Sequence, residues 1–376
     1  MTGLQDNPWV WDLMLRGAVG GVLLFHLIHL ALPGPRPAAR VALAVFTLSL
    51  IAYLFCQRAE LVFLLPRPLA LAVLALCVSS TAWLWLAARS LFDDHFALTP
   101  ALLGAALGLV LIGLAGNVPR LDAALAGRPD PGLSLLGQVH AAAMVGFTAT
   151  AVWEVMRGWR DDLVAPRRAA RRWVALGIGV YASLALVVEL AVRGREVGAL
   201  LPALHVLGIG SIALALAVLV ARGSLEVILG SGSGDGAAPT SMPDQAPRVD
   251  LSAAPSSAAS PALARLSRAM TDEFAYRREG LTLADLARSL DLGEAVLRRL
   301  INQELGYRNF NDFLHHYRLQ EASERLARED LPILSIALEC GYGSIGPFNR
   351  AFRQRFGMTP TEYRAAARME RHRQAI

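Results

Sequence analysis

The sequence predicts an all-α protein with a seven-helix transmembrane bundle, a flexible linker and a second, seven-helix domain at the carboxyl end. Of its 376 residues, 54% are hydrophobic and the mean hydropathy is positive, which is too apolar for a water-soluble protein of this size. Seven apolar runs fill the amino-terminal part, and a segment rich in glycine, serine, alanine and proline follows them. The predicted bounds are 1–229 for a transmembrane sensor domain, 230–260 for the linker and 261–376 for the second domain.

Each apolar run is near the roughly 20 residues that a membrane-spanning helix needs. An odd number of spans puts the two ends of the chain on opposite sides of the membrane. With the amino terminus outside, the inner loops carry nine arginines and the outer loops six, the bias that the positive-inside rule describes. This predicts a multi-pass protein of the bacterial inner (cytoplasmic) membrane with a cytoplasmic carboxyl-terminal domain. The runs lie at 12–32, 38–56, 66–89, 98–117, 133–156, 172–192 and 198–221.

Composition and chain start exclude some classes of protein. Every basic residue is an arginine, so no lysine can form the Schiff base of a retinal photoreceptor. Asp6 and Asp12 lie before and at the start of the first run without a positive start region, which argues against a cleaved signal peptide. The spacing of Cys56, Cys77 and Cys340 indicates neither a metal site nor a disulfide framework.

Four polar residues within the predicted spans form a candidate intramembrane sensor site. Such residues are costly in hydrocarbon and usually face a cavity or a partner. All four fall in the outer part of their spans, where histidines with a carboxylate suit zinc, copper or iron, and two histidines can hold haem. In the alternative interpretation, the arginine pairs with the glutamate and the histidines hydrogen-bond across helices, so that no cofactor is expected. The residues are Arg16, His140, Glu189 and His205.

The predicted linker of about 31 residues gives an end-to-end distance of roughly 30 Å. Beyond it, residues 332–356 have the pattern of two helices joined by a tight turn. Pro332 begins the first helix, Gly341 and Gly343 permit the turn, and Ser344 is placed to cap the second helix. The inward face of that second helix carries Phe348, Phe352 and Phe356, and its outward face Asn349, Arg350 and Arg353.

These residues resemble the AraC/XylS family of transcription regulators, over about residues 262–370. The resemblance implies two helix-turn-helix units, at 281–306 and 332–356, and a joining helix at 309–328. In the first unit, LTLADLARSLDLGEAVLRRLINQELG, the inward positions are Leu283, Leu286, Leu290, Leu297, Leu300 and Ile301. In the joining helix, where Arg318 matches an arginine of the family, they are Phe310, Phe313, Leu314, Tyr317, Leu319, Ala322 and Leu326.

The resemblance also implies which residues contact the grooves of DNA. Gly293 departs from the serine cap common in the family, and residues 345–347 (Ile-Gly-Pro) replace polar residues of its second reading helix. An arginine in these positions can read guanine or hold a phosphate, and the sequence leaves both open. The implied DNA contacts are Glu294, Ala295, Arg298 and Arg299 in the first unit, and Asn349, Arg350 and Arg353 in the second.

The predicted function is a bacterial one-component sensor, not an enzyme, in which the bundle senses an unknown signal ligand and the cytoplasmic domain binds promoter DNA. The partners implied are double-stranded DNA, RNA polymerase, the lipid bilayer and a second copy of the chain. The alternative is a membrane redox or enzyme module that binds a metal or haem through His140 and His205 and is fused to a regulator. A transporter that signals its own flux ranks third, because the sequence shows neither a pair of broken helices nor an internal repeat of the kind that transporters often have.

Overall fold

The computed structural model describes residues 8–374 except 35–36, 57–60, 63, 95, 129–130, 133, 193–199 and 222–260. These described residues form helices and no strand. They fall into two compact units, Met1–Trp159 with Ala169–Asp235, and Arg160–Arg168 with Gly236–Ile376. The all-α prediction is confirmed for the described residues. The predicted linker lies outside them, and the predicted domain bounds stay a prediction.

The first unit is built from long apolar helices. Many of their large apolar side chains face outward: Ile28, Leu111 and Trp153 are 58%, 58% and 67% exposed. Apolar surfaces that cover the outside of a bundle are what a lipid environment requires. The helices are α1 (Pro8–Ala31), α2 (Pro37–Cys56), α3 (Arg67–Val78), α4 (Ser80–Phe92), α5 (Pro100–Leu125), α6 (Leu135–Met156), α7 (Ala165–Val192) and α8 (Leu200–Ala221).

The inner faces of the described helices pack in several clusters. Leu23 of α1, Leu54 of α2 and Ile209 of α8 are buried together at one side of the bundle. Leu86 of α4 and Leu109 of α5 lie in a cluster between α2, α4 and α5. Small residues such as alanine let these helices approach closely, as packing within a membrane favours.

Four of the described helices are long and apolar enough to cross a membrane: α1, α2, α5 and α6. The pair α3 and α4 would add a fifth span if the two helices cross together. The count of seven spans and the orientation of the chain therefore stay predictions.

The third predicted span is wrong as a single helix over 66–89, because the chain bends by 51° between α3 and α4. At the break, the Ser79 hydroxyl donates to the Ala75 carbonyl at 2.8 Å, competing with the helical ladder. The Val78 carbonyl instead accepts from His140 Nε2 at 2.9 Å. Gly113 leaves the room for this contact, since a Cβ there would lie 2.8 Å from His140 Nε2. A histidine on α6 thus supplies the hydrogen bond that the break requires.

The second unit contains short helices typical of helix-turn-helix proteins. They are α9 (Pro261–Thr271), α10 (Leu283–Ser289), α11 (Glu294–Arg299), α12 (Phe310–Arg328), α13 (Ile333–Glu339), α14 (Ile345–Phe356) and α15 (Pro360–Gln374). A 3-10 turn spans Ala275–Arg277, and a π turn, Leu300–Glu304, extends α11.

Helix α12 joins two hydrophobic cores. Its amino-terminal half packs Phe313 and Leu314 with the leucines of α10 and α11. Its carboxyl-terminal half packs Ala322 and Leu326 with α13 and α14. The inward positions predicted for the first unit and for the joining helix are buried, except Tyr317, which is partly buried. One rigid helix therefore fixes the separation of the two helix-turn-helix units.

Candidate DNA-binding interface

Local capping forms the first helix-turn-helix unit. Thr282 and Asp285 make a capping box at the start of α10, and the Asp285 amide donates to Thr282 Oγ1 at 3.1 Å. The Thr282 hydroxyl and amide donate to the Asp285 carboxylate and lower its pKa. Asp291 has a positive φ of 51° in the turn, and Gly293 starts α11 without any side-chain cap. Because glycine has no side chain, no side-chain oxygen at this position accepts hydrogen bonds from the first amides of α11.

The four residues predicted to contact DNA from the first unit all lie on α11. Glu294, Ala295 and Arg299 are exposed. Arg298 differs, because its side chain is only 14% exposed and pairs with Glu294 at 3.3 Å. Its guanidinium also donates to two backbone carbonyls of residues 160–168. Three of these side chains are thus open to solvent, and the fourth is already engaged.

The second helix-turn-helix unit presents a basic surface on α14. We call this surface the α14 face, and it consists of Asn349, Arg350, Arg353 and Gln354. All four are exposed, and they line one shallow groove. Phe348 and Phe352 on the opposite side are fully buried, and Phe356 is partly buried. Gln354 was not among the predicted contacts, although its spacing of four from Arg350 is a signal for the same helix face. Ser344 occupies the N-cap position of α14 but makes no capping hydrogen bond.

Arg318, at the middle of α12, connects the parts of the structure on either side of the joining helix. It is 8% exposed, and its Nε and Nη2 donate to the carbonyls of Tyr276 and Arg278 at 2.7 and 2.9 Å. Its guanidinium also lies over the ring of Tyr342, which follows α13. A planar guanidinium with fixed donors suits this place, so Arg318 has a structural role.

Cys340 lies fully buried in the second core, where burial raises the pKa of its thiol to about 12. Only the thiolate is nucleophilic, so alkylation at pH 8 should be very slow. We compare two chains that both carry Cys56→Ala and Cys77→Ala. One keeps Cys340, and the other lacks Cys340 and carries the exposed substitution Ser344→Cys. We expect iodoacetamide to modify Cys340 at least ~100-fold more slowly than the cysteine at position 344. The Cys340 rate should keep rising above pH 9, where an ordinary thiol levels off. Mass spectrometry measures both rates, a sample in urea is the control, and equal rates in the folded protein would contradict the burial.

Two of the four candidate intramembrane residues, Arg16 and His140, have separate partners in the structure. Arg16 is buried and pairs with Asp12 one helical turn earlier at 2.8 Å, and it also donates to the Leu54 carbonyl. His140 holds the Val78 carbonyl, and His205 is buried on α8. Glu189 lies on α7, but its side chain is outside the described ones. Among the described residues, no three His, Cys, Asp or Glu side chains are grouped to hold a metal ion. The sensor site therefore stays a prediction.

The carboxyl-terminal region is similar to known regulators. A family described as "Helix-turn-helix domain" matches residues 286–366. The HTH-type transcriptional regulator GadX of Escherichia coli K12 is 33% identical over 90 residues, which are 23% of this chain and 32% of GadX. The HTH-type transcriptional regulator CdhR of Pseudomonas aeruginosa is 34% identical over 85 residues, 23% of this chain and 25% of CdhR. This chain thus spans about a third or less of the length of these two relatives.

A shorter relative is covered for most of its length. The probable transcription factor PqrA of Proteus vulgaris is 31% identical over 88 residues, which are 23% of this chain and 71% of PqrA. The family match at residues 286–366 includes α11, the joining helix α12 and the second helix-turn-helix unit. Through this carboxyl-terminal region, the chain belongs to the AraC-type helix-turn-helix transcription regulators.

Proposed function

We propose that this chain is a membrane-anchored transcription regulator whose second unit binds promoter DNA through α11 and α14. The observation that carries the proposal is the α14 face. Two arginines and an asparagine stand exposed on a helix whose other side is anchored by the buried Phe348 and Phe352. Arginine and asparagine are the side chains that pair best with guanine and adenine edges in the major groove.

The joining helix supports binding to two adjoining parts of one DNA site. Because α12 carries part of both cores, α11 and α14 keep a fixed separation within the unit. A helix-turn-helix unit places its second helix in the major groove, and two such units read successive turns of the duplex. Arg299 and Arg350 would then contact neighbouring groove segments.

Membrane anchoring is supported by the outward-facing apolar side chains of α1, α2, α5 and α6. Anchored in the cytoplasmic membrane with the second unit inside the cell, the protein meets DNA only where the chromosome approaches the membrane. Two copies held in one bilayer would occupy paired half-sites at a raised effective concentration. RNA polymerase, the signal ligand and the second copy are the partners that this role requires.

The proposal is tested by mapping the chromosomal sites that crosslink to the protein in cells that contain it. Cells that lack the protein are the control. We expect a small set of promoters that share two sequence blocks about one helical turn apart. The same cells are fractionated, and the protein should stay with the inner membrane after an alkaline carbonate wash. Sites without a shared sequence would contradict specific binding, and release by carbonate would contradict anchoring.

A further inference from the structure

The second unit contains a segment from a distant part of the chain, residues 160–168, which lie between the fifth and sixth predicted spans in the sequence. Asp162 forms an antiparallel bridge with Asn309. The Leu163 amide donates to the Arg308 carbonyl at 2.9 Å, and the Phe310 amide donates to the Asp161 carbonyl at 2.8 Å. The first turn of a helix has amides without helical acceptors, and residues 160–168 supply an acceptor to the one at Phe310.

Side chains strengthen this contact. Leu163 is 3% exposed and belongs to the hydrophobic core of the first helix-turn-helix unit. The Asp161 carboxylate accepts from Asn311 Nδ2 at 3.1 Å, beside the amino terminus of α12, where a helix favours negative charge. Burial raises the pKa of Asp161, against the lowering effect of Asn311 and Arg298. The contact therefore combines apolar burial, backbone hydrogen bonds and charge.

Residues 160–168 also hold their own shape. Asp162 is almost fully buried, pairs with Arg167 at 3.4 Å and accepts from the Val164 amide at 3.1 Å. Its carbonyl accepts from Arg168 at 2.9 Å. A segment that is ordered by its own hydrogen bonds loses less entropy when it docks than a flexible one does.

The docked segment engages the arginine expected to contact DNA. Arg298 Nη1 donates to the Arg160 carbonyl at 2.7 Å and to the Asp162 carbonyl at 3.0 Å. These two acceptors take the place that acceptors of a guanine edge or a phosphate would have. Arg299, Arg350 and Arg353, by contrast, are exposed. Arg298 cannot serve the segment and DNA at the same time.

We propose that residues 160–168 are an intramolecular ligand of the first helix-turn-helix unit and compete with DNA for Arg298. The inference rests on the proposed function. DNA binding at the first unit then requires undocking, and the observed affinity falls with the fraction of molecules in which the segment is docked. Because the segment connects two predicted spans, a signal that rearranges those spans would change this fraction. Regulation by this route needs no rigid linker.

The test uses the full chain in lipid nanodiscs and a promoter fragment recovered from the chromosomal map. Leu163→Asp places a charge in the apolar core and should release the segment. We expect this variant to bind the fragment about tenfold more tightly than the wild type, as for a competitor that occupies about nine molecules in ten. The gain should fall below about twofold in an Arg298→Ala background, where there is no arginine to compete for. Met369→Asp, at an exposed methionine of α15 outside both helix-turn-helix units, is the matched control and should change nothing.

A second variant fixes the segment in the docked state. Asp161→Cys/Asn311→Cys, in a chain with Cys56→Ala and Cys77→Ala, is joined by a short bismaleimide. The crosslinked protein should lose about tenfold or more in affinity relative to the same variant treated with N-ethylmaleimide.

The outcomes separate the two proposals. Full affinity of the crosslinked protein would overturn the competition, whatever Leu163→Asp does to folding. If the Arg350→Ala/Arg353→Ala variant still loses binding in that case, the proposed function stands without this regulation. If no variant, including the wild type, prefers the promoter fragment over a shuffled one, the proposed function itself fails.

Discussion

Replacing Arg350 and Arg353 together with alanine is expected to abolish specific promoter binding while the protein stays folded in the membrane. Both side chains are exposed on the α14 face and support no core, so their loss should not affect stability. A well-formed arginine contact to a base contributes about 1–3 kcal/mol, and the loss of two corresponds to at least ~30-fold in affinity. Fluorescence anisotropy with the full chain in nanodiscs and a mapped promoter fragment measures this effect.

The salt dependence shows what the two arginines contact. If both hold phosphates, the slope of log K against log salt should become shallower by about two, with equal losses on promoter and shuffled DNA. If they read bases, the loss should be confined to the promoter fragment. Arg371→Ala/Arg373→Ala removes the same charge from the exposed end of α15 and is the matched control. Specific binding retained by the α14 variant would show that this surface is not the reader.

Gly341→Ala is expected to unfold the second helix-turn-helix unit at much lower denaturant concentration than the wild type. Gly341 has φ of 91°, and an added Cβ would lie 2.6 Å from the Tyr276 carbonyl oxygen and 2.7 Å from that of Arg277. The Tyr276 oxygen cannot move freely, since it accepts a hydrogen bond from Arg318. Arg277 lies between Tyr276 and Arg278, whose carbonyls are both held by Arg318, so its backbone is restrained as well. The strained φ and the overlap together should cost more than ~3 kcal/mol.

Gly357→Ala separates the two causes. Gly357 also has a positive φ, 72°, but nothing lies within 4 Å of an added Cβ. Only the backbone cost of about 1 kcal/mol is expected there. Pulse proteolysis of the full chain in urea gives the unfolding midpoint of each variant. The intact protein is detected through an epitope at its carboxyl terminus. Equal midpoints for the two variants would show that the close approach at Gly341 costs nothing.

Short-range patterns were readable in the sequence because helical periodicity is local. Leu297, Phe313 and Phe352 were predicted as core positions from spacing and resemblance, and the structure buries all three. The same spacing rule placed Asn349 and Arg350 on an exposed face. The pair of Arg16 with Asp12, four residues apart, was also within reach of that rule. The predicted partner of Arg16 was instead Glu189, which lies far along the chain.

Features that depend on contacts between distant residues were not readable. The break between α3 and α4 is one such feature. It leaves the Val78 carbonyl without a helical donor, and this carbonyl accepts a hydrogen bond from His140 on another helix. The count of seven spans stays a prediction, since four described helices are long and apolar enough to span without a break and the pair α3 and α4 would add a fifth.

The sequence by itself determined the helical class, the two cores of the carboxyl-terminal region and its membership of a family of regulators, since these follow from periodicity and motif. Tertiary structure alone decided that Arg298 is engaged by the carbonyls of Arg160 and Asp162 while Arg350 and Arg353 are open. The physical reason is that a hydrogen bond across more than 130 residues depends on where the folded backbone brings its carbonyls, and carbonyls are the same in every residue.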